Sequence, residues 1–320
     1  MFDIVALGEL LIDFTYHGVS PAGMKLFEQN PGGAVANVLA AAARLGERTA
    51  FVGKVGADMH GTFLKETLEQ AGIDSTGLVS SEEYFTTLAF VDLSDSGERT
   101  FSFARKPGAD TQLTAQEVKS SVVTSTRILH IGSLSLTDEP ARDATYHAVK
   151  LAKSRGATIS YDPNYRAPLW PDEGTAKCEM RGMLEYVDIM KLSDEETLLL
   201  TDQPEPEDAA QFLNDIGIPC VAVTLGKKGA LVSIGGRSMT VPGYRHPAVD
   251  TTGAGDAFWG GFLHRMLKLG KTPRELTLEE AADCANWGNA VATCCVQKRG
   301  AIPAMPTLDA VVTLMQEGNA

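Results

Sequence analysis

A chain of 320 residues, 44% hydrophobic and 22% charged, has ample material for a large core and does not have the composition of a disordered protein. Its formal net charge of −13 argues against general affinity for nucleic acid, though a local site can still be positive and take an anion. The five cysteines (Cys178, Cys220, Cys284, Cys294 and Cys295) fit neither a disulfide framework nor a zinc pattern, which points to reduced thiols.

The N-terminal MFDIVALGELLIDF contains Asp3, Glu9 and Asp13 and has no basic leader, so it lacks the layout of a signal peptide. No apolar run approaches the roughly 18 residues needed to span a bilayer. A cytoplasmic location is the expectation by elimination. Residues 2–8 predict a buried central strand, and the small-residue stretch 34–45, closed by Gly46, predicts a helix packed tightly on a sheet. TAFVGKVG predicts the next strand and HGTFLKETLEQAG the next helix, the alternation of a parallel sheet covered by helices. Residues 84–104 break that rhythm. Two β-rich runs flank DSGE, a turn signal, and predict an antiparallel hairpin. Residues 14–30 read as irregular or extended, with Gly18, Pro21 and Gly23 as breakers, and both segments are expected to build a small projecting sheet.

From about residue 127 the alternation resumes. RILHIGS, TISYDPN, VDIMKLS and CVAVTLG predict strands, and EPARDATYHAVKLAKSRG, DEETLLLT and AAQFLNDIG predict helices between them. GALVSIGG and RSMTVPGY predict a hairpin antiparallel to the parallel core. Residues 255–269, 278–296 and 307–318 predict the closing helices. No internal repeat or interdomain linker is visible.

The stretch TGAGDAFWGGFL, residues 252–263, has a definite chemical sense. Gly253, Ala254 and Gly255 leave backbone N–H groups open, and a helix N-terminus adds unpaired donors and partial positive charge. Together they suit a phosphoryl group in flight. Asp256 beside them can accept a proton from an attacking hydroxyl, completing what phosphoryl transfer requires. On these residues alone, a glycine-rich turn with an aspartate capping a helix start remains the plainer reading.

The wider context is more specific. There is no G-x-x-x-x-G-K-[ST] loop. Instead the segments PGGAVANVLAAAARLGERTAFVGKVGADMHG (31–61) and DTTGAGDAFWGGFL (250–263) resemble the two signatures of the ribokinase-like (PfkB) sugar kinases. The resemblance covers essentially the whole chain, and YDPNYRAPLW (161–170) with KLSDEE (191–196) makes it most similar to fructokinases. It implies an α/β ribokinase-like fold: a central, mostly parallel sheet with helices on both faces, plus a small β-sheet lid. It also implies one domain over residues 1–320, with the lid inserted from about 14–30 and 84–104.

The implied activity is ATP-dependent phosphorylation of a primary sugar hydroxyl, most simply D-fructose to fructose 6-phosphate. Asp256 is the implied base, and the 253–255 backbone holds the phosphoryl charge. Other acceptors (2-keto-3-deoxygluconate, ribose, a nucleoside such as adenosine) and a non-catalytic sugar-binding homologue stay open at this point. Asp13, Gly32, Gly33 and Asn37 are the expected sugar contacts, with Phe101 and Phe103 giving the lid an apolar face. Arg105 is expected at the sugar or the transferred phosphate, a solvated surface arginine being the alternative. Arg166 is expected to pair with the phosphoryl group, with Asp162 and Asn164 shaping its turn.

For the nucleotide, the resemblance implies Lys191, Thr224, Gly226, Gly229, Asn286 and Asn289. Mg²⁺ is expected with ATP, held through water by Glu196, although Ser193 stands where many relatives have Asn. A monovalent cation, K⁺, is implied at the Asp250 carboxylate and the carbonyls of Thr252, Val296, Gly300 and Ala304. The expected partners are the sugar and ATP, with no nucleic acid and no membrane, and a homodimer through the lid is plausible on the same resemblance.

Overall fold

The computed structural model describes residues 1–93 and 99–318, with residues 92, 93 and 99–101 described by backbone alone. Among the described residues, thirteen strands form two sheets. In chain order they are β1 (Phe2–Leu7), β2 (Leu11–Val19), β3 (Lys25–Gly32), β4 (Thr49–Gly56), β5 (Ile73–Ser81), β6 (Leu88–Leu93) and β7 (Arg99–Ala104). They continue as β8 (Thr126–Ile131), β9 (Thr158–Tyr161), β10 (Ile189–Ser193), β11 (Cys220–Thr224), β12 (Gly229–Ile234) and β13 (Arg237–Pro242).

The large sheet has the order β13-β12-β11-β10-β9-β8-β1-β4-β5. Neighbours from β11 to β5 run parallel, β12 is antiparallel to β11, and β13 is antiparallel to β12 at the edge. The apolar runs of β1 and β4 are buried on both faces, as helices on either side of a parallel sheet require. Alternate residues of β1 serve different cores. Ile4 and Ala6 pack with the helices Ala34–Arg44, Ala254–Leu269 and Leu278–Cys295, whereas Val5 and Leu7 pack with the helix Ala141–Lys153.

Small residues set how closely the first two of these helices approach. A Cβ at Gly260 would stand 2.5 Å from that of Ala41, so the contact exists only because both positions are nearly bare. This approach brings the beginnings of the helices Ala34–Arg44 and Ala254–Leu269 to the same end of the sheet.

The second sheet, ordered β3-β2-β6-β7, stands over that end. β2 pairs antiparallel with β3 and parallel with β6, and β6 with β7 forms a hairpin. Residues 14–30, read from sequence as irregular or extended, are thus mostly two paired strands. Asp13 lies inside β2 and does not simply follow the first strand. The expected DSGE turn falls outside the described residues. The sequence reading has no counterpart for the edge strand β5, whose side chains are mostly partly exposed, for the short helix Ser120–Val123, or for the polar helix Glu173–Gly182, capped by Asp172 on the Thr175 N–H. Among the described residues no helix is long and apolar enough to cross a membrane.

Candidate active site

A cavity of about 510 Å³ lies at the carboxyl ends of the central strands, beneath the second sheet. Asp13, Asn37, Asn164, Arg166, Lys191 and Asp256 all line it, although they come from five separate stretches of chain.

The helix Ala254–Leu269 starts from Gly253, which has φ 74° and offers no capping side chain. The left-handed conformation favours glycine, and a Cβ there would also stand 2.6 Å from that of Ala301. Ala254 N–H donates to the Thr251 carbonyl at 3.2 Å, and Ala257 N–H to that of Gly253 at 2.8 Å. Among the described residues the N–H groups of Gly253, Gly255 and Asp256 have no such partner. Of the donors expected at 253–255, the Ala254 N–H is engaged in the turn, while that of Asp256, not expected from sequence, is open.

The Asp256 carboxylate is buried. Oδ2 accepts from Asn37 Nδ2 at 2.8 Å and Oδ1 more loosely from Asn164 Nδ2 at 3.4 Å. Burial pushes its pKa up to about 6, aided by the nearby Asp162 charge and opposed by Lys191, the Asn37 hydrogen bond and Arg166. Lys191 Nζ meets Asp162 Oδ2 at 2.7 Å, and both side chains are buried. Burial disfavours the ammonium, yet Asp162 and Glu196 hold its pKa above the ordinary value. A Cβ on Gly255 would lie 3.2 Å from Nζ, which puts a positive charge directly beside the helix start. Asn164, read from sequence as shaping the turn, takes φ 46° and reaches the site itself.

Arg166 is exposed at the cavity wall, with Nη1 on its neighbour's carbonyl at 3.0 Å. Its charge acts on both Asp13 and Asp256. Burial raises the Asp13 pKa to about 6, with Arg166 opposing. A Cβ on Gly32 would collide with the Asp13 carboxylate, and one on Gly33 with the Glu9 carbonyl. Gly32 thus acts by leaving room for Asp13, while Gly33 lines the cavity directly. Phe103 also lines it; the Phe101 side chain lies outside the described residues.

Arg105 is neither a ligand-facing residue nor a solvated one. It is buried, with Nε on Asp110 Oδ2 at 2.8 Å, Nη1 on Thr137 Oγ1 at 2.9 Å and Nη2 on the Leu134 carbonyl at 2.8 Å, and it does not line the cavity. Its fork fastens the segment after β7 to the loop after β8.

Glu196 has a similar bracing position. Oε1 accepts from Tyr165 N–H at 2.7 Å, while Oε2 accepts from Ser193 N–H at 2.8 Å and Oγ at 3.2 Å. Ser193 here completes the grip on the carboxylate. Among the described residues no group of three or more His, Cys, Asp or Glu side chains could hold a metal ion.

Asp250 binds Thr252 through its N–H (3.0 Å) and Oγ1 (2.7 Å), and Gly300 N–H at 3.0 Å, and these three residues line the cavity. The Val296 carbonyl instead accepts two N–H groups, from Val249 at 2.7 Å and Asp250 at 3.2 Å. Asp250 thus contacts Thr252, Val296 and Gly300, while Val296 and Ala304 do not line the cavity.

Thr224, Gly226 and Gly229 mark the β11–β12 connection, outside this cavity. Asn289 is not presented to a base: its Nδ2 donates to the carbonyls of Val241 at 3.2 Å and Pro242 at 3.1 Å. Asn286 accepts from Tyr244 at 3.1 Å and lines a second cavity with Arg245 and His246. Sequence reasoning missed Glu9 and read Asp162 only as turn chemistry. Their positions just beyond strands β1 and β9 were the available signal.

Comparison with known proteins agrees with this geometry. Residues 1–308 match the model of the pfkB family carbohydrate kinases. A protein named probable fructokinase-4 from Arabidopsis thaliana is 41% identical over 320 residues, covering 99% of this chain and 97% of that one. Fructokinase-2 from Oryza sativa subsp. japonica is 41% identical over 310 residues, covering 95% and 91%. Among solved structures, a fructokinase with bound ATP from Xylella fastidiosa gives a TM-score of 0.90 at 32% identity, covering 99% of both chains. A fructokinase double mutant from Vibrio cholerae O395, bound to fructose, ADP and potassium ion, gives 0.87 at 33% identity, covering 98% of both.

Proposed function

The chain belongs to the pfkB family of carbohydrate kinases, sugar kinases that take phosphate from ATP, and from that premise we propose that it phosphorylates D-fructose to fructose 6-phosphate. The observation that carries the chemistry is the Asp256 carboxylate, buried at the start of the helix Ala254–Leu269 beside three open N–H groups and held on one oxygen by Asn37. Asn37 occupies Oδ2, which leaves the loosely held Oδ1 as the basic atom. The proton of the sugar's 6-hydroxyl passes to Asp256 Oδ1, the oxygen's electron pair forms a bond to the γ-phosphorus, and the bond to the β-bridging oxygen breaks to release ADP.

The N–H groups of Gly253, Gly255 and Asp256 meet the phosphoryl oxygens where charge is redistributed, with Lys191 and Arg166 supplying positive charge on either side. Asp13 accepts sugar hydroxyls, with Gly33 and Asn37 closing the wall around them. Closure of the second sheet, with Phe103 on its inner face, excludes water as a competing acceptor. Thr224, Gly226 and Gly229 are proposed to follow the nucleotide. Mg²⁺ arriving with ATP neutralises phosphate charge; Glu196 Oε1, which has a single N–H partner, retains capacity for a metal-bound water.

K⁺ is proposed to act near Asp250, Thr252 and Gly300 by ordering the helix start. A homodimer through the second sheet is proposed from its exposed apolar side chains, Val19, Leu26, Phe27 and Phe90. The proposed location is the cytoplasm, where ATP is supplied and thiols stay reduced.

The test is coupled ADP release with ATP, Mg²⁺ and K⁺ across fructose, ribose, glucose, 2-keto-3-deoxygluconate and adenosine. The highest kcat/KM is expected for fructose. A higher value for another acceptor overturns the substrate assignment, and no turnover of any acceptor overturns the enzyme reading.

A further inference from the structure

Glu9 has no assigned part in the reaction, yet its side chain is the most conspicuous unresolved group in the cavity. It follows β1, lines the same cavity as Asp13, and is 2% exposed. Oε1 accepts the Ala34 N–H at 2.7 Å and so caps the helix that carries Asn37. Oε2 is buried and has no hydrogen-bond partner among the described residues. A cap requires only one oxygen. A carboxylate oxygen withdrawn from water without a partner is costly, so the fold alone gives no reason for it.

The nearby cation does not resolve it. The donors recorded on Arg105 go to Asp110, Thr137 and Leu134, and none to Glu9. Of the positive groups lining the cavity, Lys191 and Arg166 act on Asp256, and neither they nor Arg299 acts on Glu9, which shares its wall with another carboxylate, so phosphate is the wrong ligand for it. A neutral group that can donate a hydrogen bond is the right one.

We infer that Glu9 Oε2 binds a hydroxyl of the acceptor sugar other than the one phosphorylated, making Glu9 a second substrate-reading carboxyl beside Asp13. The inference rests on the sugar-kinase reading and adds to it which group discriminates among acceptors. Burial raises the Glu9 pKa to about 7, with its own backbone N–H, the Ala34 bond and Arg105 opposing, so near neutrality the group exists both as acid and as carboxylate and can either donate to a sugar oxygen or accept from a hydroxyl. A site built to pair with a hydroxyl discriminates strongly against an analogue that lacks it, because the protein group is then left unpaired.

The test compares wild type with Glu9→Gln, which can still accept the Ala34 N–H, on D-fructose and its monodeoxy analogues, with ATP KM and Tm recorded alongside. For Glu9→Gln the fructose KM is expected to rise about tenfold or more, as loss of a hydrogen bond to an ionisable group should, while ATP KM stays within about twofold. One deoxy analogue should be disfavoured about tenfold or more by wild type and scarcely at all by the variant. Identical penalties in both proteins across the series overturn the inference, as does a lowered Tm with an unchanged preference pattern, which would make Glu9 a helix cap only. A wild type silent on fructose fails the fructokinase reading separately, and the same comparison is then made with the deoxy series of whichever sugar it phosphorylates.

Discussion

Asn37 Nδ2 lies 2.8 Å from Asp256 Oδ2, joining two helices whose contacting residues are 219 positions apart in sequence. The bond fixes one oxygen of the proposed base and leaves the other directed at the reaction. Asp256→Asn keeps the shape and a hydrogen-bonding group and removes the basicity. We expect kcat to fall by about 10³-fold, within the range of a lost general base, while calorimetric sugar affinity changes little. Retention of a tenth of wild-type turnover would remove Asp256 from the role of base.

The raised Asp256 pKa, about 6 against an ordinary 3.8, has two consequences of opposite sign. Activity needs the carboxylate, so kcat/KM is expected to fall as pH drops below about 6. Stability needs the proton. The folded chain binds it more tightly than the unfolded one, so this group's contribution is fully present below about pH 4 and is lost as pH rises through about 6. At so buried a site, a pKa raised from 3.8 to about 6 corresponds to about 3 kcal/mol. Asp256→Asn should therefore gain about 3 kcal/mol over wild type at pH 7 and far less at pH 4, measured by urea unfolding. An equal difference at both pH values would show that the carboxylate is not strained by burial.

Gly32 tests the sugar wall. A methyl group there would collide with the Asp13 carboxylate, and Asp13 pairs in register with Asn30 on the neighbouring strand, so the backbone has little room to yield. Gly32→Ala is expected to raise the acceptor KM about tenfold or more by turning Asp13 away, with ATP KM unchanged. Equal effects on both substrates would point to general distortion and not to displacement of Asp13.

The parts of this site legible in sequence are those that depend on contiguous residues. The bare turn before Asp256 and the strands buried on both faces, such as β1 and β4, leave local signals of size and hydropathy. β5 left none because an edge strand needs few apolar side chains, and the pairing of β2 with β3 was hidden by polar and exposed residues along both. Arg105 illustrates the sharper limit. Its charge suggested an anion, but Asp110 lies five residues on and Thr137 thirty-two residues on, and only the fold reveals that these groups claim the guanidinium. Asp162 was read as turn chemistry for the same reason: its partner Lys191 comes from the adjacent strand β10.

That pair supports the last prediction. Lys191, which lines the cavity, and Asp162 behind it are both buried, 2.7 Å apart, and Asp162 Oδ1 has no partner among the described residues. Removing one member of a buried ion pair leaves an uncompensated charge, which costs about 3–5 kcal/mol, whereas removing both is far milder. Lys191→Met should therefore lower stability by about that amount, and adding Asp162→Asn should restore most of it. Activity should not return with stability, because the ammonium beside Gly255 would still be missing from the phosphoryl site. Urea unfolding and kcat measured on the two single variants and the double variant separate these effects. Recovery of both together would make the pair a structural strut and take Lys191 out of the chemistry.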